Sequence, residues 1–240
     1  MTKKASWSKR LRESLLPKPI RLSAKQEQLL RQLFPNVHWD QVRCVEGMPW
    51  FMRHSFAIAT ALPASYRRGV VYIYFQEYKK EEEDFYTLST LVHEAFHIQQ
   101  YHDSQSFGGW GQMGFYRPFM LHYVGWYLSL LWRNWNWGRN KRWSEASYEA
   151  YRYHPMEIPA YDYEAAFAEA YWDYYHAPDL EYFLNKHPHL VCRHSGMQVT
   201  KRPGWMAWAI ATILLSLVVI CKPILELMLL LAIALSRPFG

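Results

Sequence analysis

The sequence predicts an α+β domain followed by a C-terminal membrane segment, and three stretches carry that prediction. Residues 54–62 (HSFAIATAL) and 69–75 (GVVYIYF) are short, apolar and rich in β-branched and aromatic residues, with the turn-like linker 63–68 between them, as in an antiparallel hairpin. Residues 85–103 (FYTLSTLVHEAFHIQQYHD) read as one helix. Residues 205–221 contain no charged side chain over 17 positions, the lower end of the length that spans a bilayer.

Composition narrows the classes. At 240 residues, 50% hydrophobic and 18% aromatic, the chain can build a substantial core, and global disorder is excluded. The net charge of +6 is concentrated in the first 31 residues and just before the apolar tail, a distribution that suits anionic lipid better than nucleic acid. No nucleic-acid-binding motif is present, so no nucleic-acid partner is expected. Cys44, Cys192 and Cys221 are few, odd in number and far apart, which fits a reducing compartment rather than a disulfide framework.

In chain order, residues 1–22 form a basic N-terminal arm. A helix follows over 23–34, with Ser23 as cap and Gln26 three residues on, and Pro35 stops it. The hairpin comes next, then the acidic run 81–84, in which Asp84 can cap the 85–103 helix. Residues 104–114 are glycine-rich and read as loop. Residues 119–132 are apolar but too short to span a bilayer, and so predict a core helix. Helices are expected over 144–153 and 161–175, the second ended by Pro178. The domain limits are therefore 23–178, with 179–202 as linker and 203–240 as a membrane anchor of one helix or a short hairpin. Lys201 and Arg202, with Trp205 and Trp208 at interfacial depth, favour leaving the folded domain on the cytoplasmic side, with membrane lipid as a partner.

The chemistry lies in His93-Glu94-Ala95-Phe96-His97, an H-E-x-x-H motif. At 3.6 residues per turn both imidazoles leave one helix face, where they can bind one metal ion, and Glu94 beside them can take a proton from a metal-bound water. A third ligand is needed. The metzincin pattern requires Gly at 100 and His at 103, where this chain has Gln100 and Asp103. A later glutamate is the alternative: Glu157, in His154-Pro155-Met156-Glu157-Ile158-Pro159-Ala160-Tyr161, with Glu145, Glu149 and Glu164 as substitutes if the helix starts elsewhere.

A hairpin, an H-E-x-x-H helix and a later Pro-x-Glu helix start together resemble a compact gluzincin-type zinc metallopeptidase, over about residues 49–175. The resemblance implies a zincin-like domain: a small antiparallel sheet or hairpin packed on the motif helix, then a mostly helical part. It implies one catalytic Zn²⁺ held by His93, His97 and Glu157, Glu94 as general base, and a peptide or protein substrate laid along the 69–75 strand. Tyr153, His154 and Tyr161 are the possible oxyanion donors. The expected function is membrane-anchored, zinc-dependent peptide hydrolysis; a catalytically silent membrane scaffold or binding protein on the same fold is the alternative.

Overall fold

The computed structural model describes residues 18–49, 52, 57–63, 70–78, 84–105, 118–137, 142–196, 205–214 and 216–217. The basic arm up to residue 17, the acidic run 81–83, the glycine-rich stretch 106–114 and the apolar tail beyond 217 lie outside the described residues.

The chain is α+β. Strand β1 (Lys18–Ile20) leads into helix α1 (Ala24–Leu33), then strands β2 (Val42–Glu46), β3 (Ala59–Pro63) and β4 (Val71–Phe75). Helices α2 (Phe85–Gln105), α3 (Pro118–Trp137), α4 (Trp143–Arg152), α5 (Glu157–His176) and α6 (Leu180–Lys186) complete it. Local chemistry accounts for the helix starts. The Ser23 hydroxyl accepts from Gln26 N–H at 3.2 Å while Gln26 Oε1 accepts from Ser23 N–H at 3.0 Å, the reciprocal pair expected from the sequence. Asp84 Oδ2 accepts from both the backbone N–H and the hydroxyl of Thr87, and so caps α2.

The 59–63 and 71–75 strands pair antiparallel, Ala61 opposite Ile73, as a hairpin should. The sheet nevertheless differs from a small antiparallel one. Its order is β1-β2-β4-β3, and β2 pairs parallel with β4, Cys44 opposite Ile73. The sheet is mixed because β3 and β4 join a strand from the preceding segment. Lys18–Ile20, expected within the basic arm, pairs antiparallel with β2. As a result β4 is interior, and β3 is the outer strand that touches α2. In β4, Val71, Ile73 and Phe75 alternate into the core with Leu29, Leu33, Leu88, Leu91 and Phe167. Burying these apolar side chains stabilises by about 1.5–3 kcal/mol each before entropic costs. Helices α2 and α5 pack against each other along the core, while α3 and α4 form a helical hairpin at its side.

The C-terminal expectation is overturned. Among the described residues no helix is long and apolar enough to cross a membrane. The expected membrane segment is thus not found among the described residues, and the predicted membrane localisation and cytoplasmic orientation lose the helix they rested on; positions 215 and 218–240 of the expected anchor lie outside the described residues. Of the apolar run, residues 205–214, 216 and 217 are described, and all of them are helical. They touch the domain on one side only: Ala211 is buried, and the Trp208 ring meets the His122 ring of α3 edge-on at 4.9 Å, while Trp205, Met206, Ile210, Ile213, Leu214 and Leu217 are exposed. Helix α3 has the length, with 20 residues, but it carries His122, Arg133 and Asn134 and packs against α2 and α4.

Candidate metal centre

The site forms where the middle of α2 meets the start of α5. His93 and His97, one turn apart on α2, bring their Nε2 atoms to 3.1 Å. Glu157, the first residue of α5, places Oε2 3.3 Å from each of them. All three side chains are buried and together can hold a metal ion. Pro159 is harmless where it stands, because it falls in the first turn of α5, where its absent N–H has no helical acceptor to lose.

Hydrogen bonding settles which atoms face inward. His93 Nδ1 lies 2.9 Å from Glu164 Oε2, and His97 Nδ1 lies 2.9 Å from Gln100 Oε1. The Gln100 amide is oriented by its own Nε2–H, which donates to Met156 O at 2.9 Å, so its oxygen must face the ring. Both partners are acceptors, and each Nδ1 therefore carries the hydrogen. Each Nε2 is thus left to face the Glu157 carboxylate oxygen, through a shared proton or as a lone pair toward a bound cation. Three ligand arms of about 2.0–2.2 Å at tetrahedral angles have tips roughly 3.3–3.6 Å apart, close to the separations found. The residues present fit a metal ion.

Electrostatics agree in direction. Burial pulls His93 down, but hydrogen bonds to Glu157 and Glu164 and the charges of Glu94 and Glu157 carry it up to about 10. His97 is raised in the same way: the Glu157 carboxylate outweighs burial. Glu157 is held well below the usual carboxylate range despite burial, chiefly by the two imidazoles. The cluster is a place where positive charge is favoured, whether it arrives as protons or as a metal ion.

Glu94 lies in the same buried region. Burial raises its carboxyl above the ordinary range, against the pull of His97 and His93, and the backbone N–H of Ala61 on β3 donates to it. Its Oε2 has no hydrogen-bond partner among the described residues. A buried carboxyl oxygen in that condition is costly unless something polar visits it.

The remaining predicted residues separate. Tyr161, one turn into α5, sets its ring 4.7 Å from the His93 ring. Tyr153 is 63% exposed. His154 is buried with both ring nitrogens engaged by backbone: Nε2–H donates to Tyr123 O at 2.9 Å, and Nδ1 accepts from Met156 N–H at 3.1 Å. Burial lowers it to about 4. Glu145 accepts from Arg142 N–H at the start of α4, and Glu164 stands behind His93, with Ser89 donating to its other oxygen at 2.8 Å. Asp103 lies at the far end of α2, which runs straight on past His97.

Two participants had escaped the sequence reading. Tyr123 of α3 donates its phenolic hydrogen to Glu157 Oε1, and Gln100 braces His97. Gln100 carried a signal, standing one turn beyond His97, whereas Tyr123 carried none. No family model, curated protein or solved structure matches the chain.

Proposed function

We propose that the chain is a zinc-dependent peptidase of gluzincin type, with His93, His97 and Glu157 as ligands and Glu94 as general base. Bound to such a set, zinc supplies a Lewis acid that polarises a carbonyl and acidifies water. The observation that carries the reading is Glu94, a buried carboxyl beside convergent ligand atoms, raised by burial and with one oxygen unengaged among the described residues. Raised basicity suits it to accept a proton from the attacking water and return it to the departing amine. Water oxygen bonds to the carbonyl carbon, the C–N bond breaks, and the two products are a carboxylate and an amine.

The substrate backbone fits along β3 rather than the 69–75 strand, because β4 has strands on both sides. Only one edge of β3 is paired among the described residues, and an extended peptide can add to the other. Tyr161 is the oxyanion donor best placed to serve, since His154 is committed to backbone groups and Tyr153 points to solvent.

Zinc stoichiometry and hydrolysis of a fluorogenic peptide, measured together, test this. Glu94→Gln should keep about one zinc per chain and lose at least about a hundredfold in kcat. Glu157→Ala should lose the metal. Equal, tight zinc in Glu157→Ala removes that residue from the ligand set; undiminished cleavage by Glu94→Gln defeats the enzymatic mechanism.

A further inference from the structure

A groove of about 1020 Å³ opens beside the cluster, between the first half of α2 and the middle of α5. Ala165, Ala168 and Phe85 are among the residues that line it. At the end nearest the ligand atoms, the Tyr161 ring meets the His93 ring at 4.7 Å, tilted by 58°, and the Arg152 guanidinium lies 3.9 Å over it. Arg152 is the one cationic residue among those described as lining the groove.

The carboxylates that share the groove are engaged or remote. Asp84 caps α2, and both oxygens of Glu164 are taken by His93 and Ser89. Glu77 is exposed just beyond β4. Among the described residues no carboxylate forms an ion pair with Arg152, although it hydrogen-bonds Tyr161 and feels the Glu164 charge. A guanidinium stacked on an aromatic ring keeps its five N–H donors in its own plane, aimed sideways. Here the guanidinium sits 3.9 Å from the Tyr161 ring centre and hydrogen-bonds that tyrosine, which holds its remaining donors at the mouth of the site, where they can receive a carboxylate.

We propose that Arg152 is a substrate anchor that selects peptides bearing a carboxylate, from a free C-terminus or an acidic side chain, in the groove next to His93. The inference rests on the peptidase reading and adds the class of substrate. Tyr161 fixes the distance between that carboxylate and the ligand atoms, so the anchor also sets where the chain is cut.

Binding, rather than turnover, tests the anchor independently of the mechanism. Three N-terminally fluorescent pentapeptides of otherwise neutral composition serve as probes: a free C-terminal acid, its amide, and the amide with one glutamate. Each is titrated by anisotropy into the full zinc-loaded chain carrying Glu94→Gln, with and without Arg152→Gln. The acid, the glutamate amide or both should bind about tenfold more tightly than the neutral amide, and whichever does identifies the source of the carboxylate. Arg152→Gln should remove that preference, Arg152→Lys should retain part of it, and zinc content should stay at the Glu94→Gln level in both. Equal binding of all three probes, no binding of any, or a preference that survives Arg152→Gln would overturn the anchor. Failure of the peptidase reading shows separately, as zinc-loaded wild type that binds the preferred probe and leaves it uncut.

Discussion

His93 and His97 are held from behind by different groups, a carboxylate and an amide, and the difference matters for what each ring can do. Glu164 adds negative charge to His93, whereas Gln100 only orients His97 and is itself tied to Met156 O. Glu157 is steadied by the Tyr123 hydroxyl. Such supporting bonds fix ring orientation and tautomer, and their loss typically weakens metal affinity by about ten- to a hundredfold. Glu164→Ala and Gln100→Ala should each raise the zinc Kd by about that factor in competition with a chromophoric chelator. The Glu164 variant should suffer more because it also removes charge. An unchanged Kd in both would mean that the imidazoles are positioned by packing alone.

Helix α5 has an unusual start, because its first residue is a buried carboxylate whose position depends on the turn before it. That turn is organised by His154, whose buried ring bridges Tyr123 O and Met156 N–H and stacks on the Tyr123 ring at 4.3 Å. One imidazole thus links α3 to α5 at the point where Glu157 must be placed. His154→Ala takes the acceptor from Met156 N–H, removes a donor to Tyr123 O and opens a void, which should cost about 1–3 kcal/mol of stability in denaturant unfolding and weaken zinc binding as well. The capping pair of α1 offers a control. Ser23→Ala should cost about 1 kcal/mol and leave zinc affinity untouched, because α1 meets α2 only through apolar side chains remote from the ligand atoms. Zinc loss in the Ser23 variant, or none in the His154 variant, would show that helix placement and ligand placement are not linked in this way.

Across the whole molecule, His93, His97 and Glu157 come from the two helices whose packing forms the middle of the core, so a metal ion held there would couple its binding to folding. A ligand that binds only the native state at a hundred times its Kd adds about 2.7 kcal/mol. For a chain of this size that should raise the melting temperature by roughly 5–10 °C. Scanning fluorimetry with and without a chelator should show the shift in wild type, and His97→Ala should abolish it. A melting temperature indifferent to metal would show that the native chain binds the ion no better than the unfolded one, against a metal site at this cluster.

The features legible along the chain were those encoded by near neighbours. The spacing of His93 and His97, the caps at Ser23 and Asp84, and the alternation of Val71, Ile73 and Phe75 each follow from the period of a helix or strand, and a few consecutive residues contain the whole message. Glu157 could be singled out from Glu145, Glu149 and Glu164 by its helix-start context, but its approach to two imidazoles 60 and more positions away is a property of how α5 lies on α2. The parallel union of β2 with β4, the place of Lys18–Ile20 in the sheet, the reach of Tyr123 to Glu157 and the packing of Ala211 on the domain have no local trace. Distant segments meet through the fit of whole faces, and that fit exists only once the chain is folded.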